Sequence, residues 1–123
     1  MDDPKRYEKG KKVFKEVMGF DPPEGRESDP FVRATVANLF GDVWSRPGLS
    51  RRDRRLITIV IVTCLGQRDY LKLHLTRALE AGELTASEVE ETMLHIAHYA
   101  GWPRGTLGSM TAREVIGSLA RRD

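Results

Sequence analysis

Apolar residues recur at intervals of three, four and seven along much of the chain, which is the spacing of amphipathic helices. Most of these segments are bounded by residues that start or stop a helix, namely prolines, N-capping side chains and glycines. The pattern therefore predicts an all-α chain of six helices. Their predicted starts lie at Pro4, Asp29-Pro30, Ser50, Gly66-Gln67, Thr85 and Trp102-Pro103.

The second predicted helix follows a loop at residues 20–28 that holds two prolines and a glycine. Asp29 is suited to cap this helix, and Pro30 is suited to its first turn. The break after it contains Pro47-Gly48, which is typical of a turn. The apolar set predicted for this helix is Phe31, Ala34, Val36, Leu39, Phe40 and Val43.

The apolar segment Leu56–Leu65 is compatible with either a strand or a helix. Its β-branched residues favour a strand. However, it follows a variant of the helix-capping box, in which Asp53 stands three residues after Ser50, and no partner strand is found elsewhere. We therefore predict a fully buried central helix.

Four arginines occupy the first turn of this third helix. Most of the cluster is expected to form a solvated face. Positive charge is poorly placed at a helix N-terminus, where the helix dipole favours anions, so at least one of the four is expected to have a specific acidic partner. The cluster consists of Arg51, Arg52, Arg54 and Arg55.

A histidine, His74, lies within the apolar stripe of the fourth predicted helix. An imidazole that faces a core is either a packed, hydrogen-bonded residue or a catalytic one. Spacing alone favours the structural alternative, whereas an unperturbed pKa near neutrality would suit a general acid. The stripe is formed by Tyr70, Leu71, Leu75, Ala78 and Leu79.

The other two histidines, His95 and His98, share a predicted helical face with Glu91. A carboxylate and imidazoles at helical spacing can bind zinc or iron, but a usable site would need further ligands from elsewhere. We therefore predict no metal site, and we expect a surface or subunit-contact role for these histidines.

The composition limits the class of protein. The chain has 123 residues, enough for a single domain with its own core. Its 20 basic and 18 acidic residues are too balanced to predict nucleic-acid binding.

The polar start is not a signal peptide, and the longest apolar run is about half a membrane span. The single cysteine, Cys64, is expected to be a small buried hydrophobe. We expect a single-domain cytoplasmic protein, in a reducing compartment and without a membrane partner.

Four stretches together resemble a known family over nearly the whole chain. They are Arg6-Tyr7-Glu8 with Gly10 and Val13, the run FGDVWSRPGLSRR from Phe40 to Arg52, Leu71-Lys72-Leu73-His74, and Tyr99-Ala100-Gly101-Trp102-Pro103. In this combination the sequence resembles the carboxymuconolactone decarboxylase family, within the alkyl hydroperoxidase D-like superfamily.

The resemblance implies an all-α bundle and a symmetric homo-oligomer, commonly a hexamer of stacked trimers or dimers. It implies removal of carbon dioxide from a carboxylated unsaturated lactone, without a cofactor, in the β-ketoadipate pathway of aromatic-compound catabolism. His74 is the candidate general acid/base, and Arg46 is the candidate to hold the substrate carboxylate. The remaining substrate-binding candidates are the pocket-wall residues Trp44 and Tyr70 and the oxyanion donors Tyr99 and Trp102.

The sequence also departs from its relatives. Peroxidases of the superfamily carry Cys-x-x-Cys before the corresponding histidine, and here those positions hold Gln67 and Tyr70. Their glutamate one helix earlier is replaced by Arg55, so a thiol peroxidase activity is rejected. Tyr70, Trp102 and Arg104 also differ from residues usual in the decarboxylases, which alters the expected pocket wall. Two alternatives therefore stay open: a non-catalytic oligomeric binding or scaffold protein, and a related lactone isomerase or hydrolase.

Overall fold

The computed structural model describes residues 3–122, and within that range every regular element is a helix. The chain divides into two compact units, an N-terminal one that ends at Ser50 and a C-terminal one that begins at Arg51. The all-α prediction is confirmed, and so are the six predicted helices. The helices are α1 (Pro4–Met18), α2 (Pro30–Arg33, continuing as a π-helix over Ala34–Val43), α3 (Arg51–Cys64), α4 (Arg68–Glu80), α5 (Ala86–Ala100) and α6 (Trp102–Ala120).

Most of the predicted helix ends coincide with observed caps. The side chains of Asp3 and Asp29 accept hydrogen bonds from backbone N–H groups of the first turns of α1 and α2. Gly19 ends α1 in a left-handed conformation with φ of 85°. Thr85 and Glu88 form a complete capping box at the start of α5, which satisfies two backbone donors reciprocally.

The second helix differs from the prediction in its winding. From Ala34 onward it is a π-helix, and its last bond runs from the Trp44 N–H to the Leu39 carbonyl, five residues back, at 2.9 Å. A π-helix fits more residues into each turn than the 3.6 of an α-helix, which moves the apolar face. Of the predicted apolar set, Ala34, Leu39 and Val43 in the π-helix are exposed, and so is Phe31 in the α-helical turn before it. The buried face is instead formed by Val32, Val36, Ala37, Phe40, Gly41 and Trp44.

Helices α1 and α2 approach each other at a glycine contact. A Cβ atom built on Gly10 would lie 2.0 Å from the carbonyl oxygen of Val36, and one on Gly41 would lie 3.3 Å from the Cα of Gly10. Glycine therefore lets the two backbones pack closer than any other residue would. Around this crossing the aromatic rings of Phe14, Phe40 and Trp44 form the core of the N-terminal unit.

In the C-terminal unit, α3 packs against α4, α5 and α6 around a single apolar cluster. Its most buried members include Ile59, Leu71, Leu75 and Met93. The segment Leu56–Leu65 is helical up to Cys64, as predicted, but the expectation that it is fully buried is wrong. Only one face of α3 packs on the other helices, and the helical period turns Ile57, Ile61 and Leu65 to solvent, with exposed fractions of 46%, 52% and 63%. No helix in the described range is both long enough and apolar enough to cross a membrane.

Candidate active site

His74 lies on the buried face of α4, between Leu71, Leu75 and Ala78. All three neighbours are fully buried, and His74 itself is 7% exposed. The apolar stripe predicted from spacing therefore does face the core, except that Tyr70 is 58% exposed. An imidazole in such surroundings must find a hydrogen-bond partner, because an unpaired buried polar group is costly.

That partner is Arg55 of α3, whose side chain is completely buried. Its Nη1 atom lies 2.8 Å from Nδ1 of His74. A guanidinium only donates hydrogen bonds, so Nδ1 of His74 must accept. The proton of the neutral ring is then on Nε2. The contact with Arg55 thus assigns the tautomer of His74.

A second contact fixes the guanidinium. The Nε atom of Arg55 donates to Oε1 of Glu83 at 2.6 Å, and the Glu83 side chain is only 12% exposed. Glu83 follows Gly82, which lies in the turn after α4 and has a φ of 69°. The N–H of Glu83 donates back to the Ala78 carbonyl at 2.9 Å. The turn after α4 thus carries the carboxylate that compensates the buried cation.

Burial and the nearby Arg55 cation lower the pKa of His74 from its ordinary 6.5 to about 4. This corrects the premise that His74 would titrate near neutrality, because the ring is neutral at pH 7. Burial also lowers the pKa of Arg55, and the hydrogen bond and charge of Glu83 oppose that effect. Arg55 remains a cation, since guanidinium groups do not lose their proton in proteins.

The expected acidic partners of the arginine cluster are present. Arg55 pairs with Glu83, and Arg52 pairs with Glu88 of α5 at 2.8 Å. The sequence singled out the arginines through the unfavourable helix dipole. It gave no signal for Glu83, which looks like an ordinary charged residue after a helix-ending glycine.

The predicted residues of the C-terminal unit do not gather at one groove. Tyr99, which is 84% exposed, lines a largely apolar groove of about 450 Å³ between α3 and α5, together with Leu56, Val60 and Cys64. Trp102, 59% exposed, lines a separate groove of about 400 Å³ between α5 and α6. Neither groove includes Tyr70 or His74 in its lining.

The remaining candidates lie in the N-terminal unit. Trp44 is 7% exposed, and its ring stacks on that of Phe40 with centroids 6.2 Å apart. This is the packing of a core residue. Arg46, two residues later, is exposed.

His95 and His98 are both exposed, in keeping with the expected surface position. The His95 ring stacks on Tyr99 at 4.8 Å between centroids. The His98 ring meets the Trp102 ring edge-on at 5.2 Å. Each histidine ring therefore packs against the ring of an exposed aromatic residue.

Known proteins resemble this chain over most of its length. The model of the carboxymuconolactone decarboxylase family matches residues 29–109. A 4-carboxymuconolactone decarboxylase of Acinetobacter baylyi is 34% identical over 97% of this chain and 92% of its own length. A nitrosuccinic acid decarboxylase of Metarhizium robertsii is 36% identical over 92% of this chain and 82% of its own. The chain therefore belongs to the carboxymuconolactone decarboxylase family and is a carboxy-lyase of that type.

Proposed function

We propose that this protein decarboxylates a carboxylated unsaturated lactone resembling 4-carboxymuconolactone, without a cofactor, in the catabolism of aromatic compounds. The Acinetobacter baylyi relative supports this substrate, because its similarity covers almost the whole of both chains. A cytoplasmic location is part of the proposal, since the single Cys64 needs no oxidising compartment.

The proposed reaction needs no electron sink from outside the substrate. The bond between the ring carbon and the carboxylate breaks, carbon dioxide leaves, and the electron pair passes into the conjugated lactone carbonyl as a dienolate. The dienolate then takes a proton at carbon, which moves the double bond. The balance is one carboxylate group and one proton consumed, and one carbon dioxide and one new C–H bond formed, with the rest of the lactone unchanged in charge.

The observation that carries the proposal is the buried contact between Arg55 and His74. A full charge in an apolar interior is expensive, and well-packed apolar residues in its place are often neutral or stabilising. Groups with a strongly shifted pKa and a specific charge partner are found preferentially at functional sites. We therefore assign His74 as the general acid/base that gives the proton to carbon.

The substrate contacts expected from the sequence are proposed one residue at a time. Arg46 is proposed to hold the substrate carboxylate through two parallel hydrogen bonds, and its exposed position supports that role. Tyr99 and Trp102 are proposed as alternative hydrogen-bond donors to the developing oxyanion, since both rings are exposed but line different grooves. Tyr70 and Trp44 stay separate proposals for substrate contact, each argued from the sequence resemblance.

A decarboxylation assay tests the function. We expect purified protein to consume 4-carboxymuconolactone, measured by loss of ultraviolet absorbance, with release of carbon dioxide. His74→Ala should lower kcat by about 10²–10⁴-fold, the usual contribution of general acid–base catalysis, while the oligomer stays intact by light scattering. The control is Lys12→Ala, at an exposed residue of α1 outside the proposed chemistry, which should retain wild-type turnover.

Three outcomes would contradict the proposal in different ways. Loss of lactone without carbon dioxide indicates an isomerase or hydrolase. Binding without turnover indicates a non-catalytic binding protein. If His74→Ala is inactive only because it fails to assemble, His74 has a structural role.

Nitrosuccinic acid is a second candidate substrate. The Metarhizium robertsii relative, named for that acid, is as similar to this chain as the first relative. Both candidates require that a carboxylate be held and that carbon be protonated after carbon dioxide leaves. The ratio of kcat/KM for the two acids, measured by carbon dioxide release, decides between them.

A further inference from the structure

We propose that Arg55, held in place by Glu83, makes His74 a proton donor in its neutral form. His74 then gives the Nε2 proton without first becoming an imidazolium. The inference rests on the proposed function, because it concerns the state in which His74 acts.

The contact itself disfavours an imidazolium. In an imidazolium both ring nitrogens carry a proton. Nδ1–H of His74 would then face a guanidinium N–H of Arg55 across the present 2.8 Å, two donors with no acceptor between them. The charged ring requires this buried contact to break, whereas the neutral Nε2–H tautomer keeps it.

Glu83 determines where the guanidinium lies. Its carboxylate accepts from Nε of Arg55 at 2.6 Å, while Nη1 of the same planar group meets His74. The guanidinium is rigid and planar, so fixing one edge orients the other. Glu83 also supplies the negative charge that lets Arg55 remain a cation with 0% side-chain exposure.

A neutral imidazole is a weak acid, and Arg55 is suited to strengthen it. When the Nε2–H bond breaks and the C–H bond of the product forms, the electron pair left on the ring makes an imidazolate. A cation at hydrogen-bond distance from Nδ1 stabilises that negative charge, and the effect is strong because both side chains are buried. The imidazolate then regains one proton from solvent, and Arg55 stays cationic throughout. Neutral histidine acts as an electrophile in other enzymes for the same electrostatic reason.

Other charged residues nearby do not cancel the positive potential that Arg55 exerts at His74. Arg51 and Arg77 add positive potential at Arg55, opposite to the effect of Glu83. Glu114 of α6 is paired with Arg68 and Lys72.

The pH dependence of kcat separates the two forms of His74. If an imidazolium with a pKa of about 4 were the donor, kcat would fall tenfold for each pH unit above that value. A neutral donor gives a constant kcat from about pH 5 to 8, with a decline only in more acidic solution where the ring becomes protonated.

The test compares the wild type with the double variant Arg55→Gln/Glu83→Gln, which removes both buried charges and keeps the interior neutral. We expect kcat to fall about 10²-fold with KM little changed. The pKa of His74 in this variant should rise above the wild-type value, because the Arg55 charge is gone, and should stay below the ordinary value, because burial is the larger cause. The kcat of the double variant should therefore decline as the pH rises through that pKa. Arg55→Lys keeps the cation and should retain more of the wild-type kcat than the double variant does.

The matched control is Arg122→Gln/Glu80→Gln, which removes an exposed arginine–glutamate pair at 2.5 Å and should leave both kcat and its pH profile unchanged.

Nitrogen-15 NMR of the imidazole rings tests the tautomer without any substrate, with the His74 signals assigned by their loss in His74→Gln. We expect Nε2–H in the wild type at pH 7 and a mixture of tautomers in the double variant. An imidazolium or an Nδ1–H tautomer at pH 7 overturns the inference, as does a wild-type kcat that falls tenfold per pH unit. An active wild type with either signal refutes this inference alone, whereas an inactive wild type with Nε2–H refutes the proposed function.

Discussion

His74 binds protons differently in the folded and unfolded chains, which makes stability depend on pH. Its pKa is about 4 when folded and about 6.5 when unfolded. Between these values the unfolded chain binds more protons at this residue, so the free energy of unfolding decreases as the pH falls through that window. The full effect is on the order of 3 kcal/mol, present above pH 6.5 and lost by about pH 4.

Urea unfolding at several pH values measures this effect. We expect the wild type to lose stability from pH 6.5 to 4, and His74→Gln to lose less, because glutamine does not titrate. The difference between the two proteins isolates His74 from the carboxylates that titrate in the same range. Parallel curves for the two proteins would mean that His74 keeps an ordinary pKa in the folded chain.

The sequence identified His74 but not the state in which it occurs. Helical spacing is local, so the burial of His74 followed from its neighbours along α4. The pKa depends first on burial and then on the charge of Arg55, 19 residues earlier, whose guanidinium is held by Glu83, nine residues after the histidine. No periodicity connects these positions, and only the packing of α3 against α4 brings Arg55 to the ring.

At the scale of the element, the crossing of α1 and α2 depends on the absence of a side chain at position 10. Gly10→Ala would place a methyl group 2.0 Å from the Val36 carbonyl oxygen, a backbone atom that cannot rotate away. We expect the overpacking to destabilise the protein by about 1–3 kcal/mol, although alanine favours helices more than glycine does.

The control is Gly48→Ala, where no atom lies within 4 Å of the added Cβ. We expect this variant to change stability by less than about 0.5 kcal/mol. Chemical denaturation of the two variants beside the wild type provides the measurement. Equal stability of Gly10→Ala and the wild type would show that the helices can separate at little cost.

Helix ends were predicted better than helix faces. Caps act within a few residues, so Asp29 and Thr85 could be identified from the sequence as helix starts. The face that a helix buries depends on its winding and on its packing partners. The π-helical part of α2 and the one-sided packing of α3 could not be inferred from an α-helical period.

At the scale of the whole molecule, exposed apolar side chains support the predicted homo-oligomer. Ile57 and Ile61 on α3 and Leu65 directly after its end are spaced by four and form one exposed stripe. Contiguous apolar surface of this kind commonly marks an interaction site. A trimer or hexamer remains the prediction from family resemblance.

Light scattering after size exclusion tests this expectation. We expect the wild type to be an oligomer and Ile61→Glu to shift toward smaller species, because a buried carboxylate in an apolar contact is costly. Helical circular dichroism should be retained, since Ile61 is already 52% exposed in the single chain. A wild-type monomer would contradict the prediction, and an unchanged oligomer in Ile61→Glu would exclude this stripe from the contact.

The pairing of Arg55 with Glu83 limits how this sequence can evolve. Loss of one partner leaves the other as an isolated buried charge, at a cost on the order of 3–5 kcal/mol, whereas loss of both leaves an interior that apolar side chains can refill. The charged pair can therefore be replaced only by two substitutions in quick succession, or by way of an uncharged polar residue at one of the two positions. We expect natural descendants of this chain to keep both charges or to lose both. Substitutions at positions 55 and 83 should therefore occur together, although 28 residues separate them.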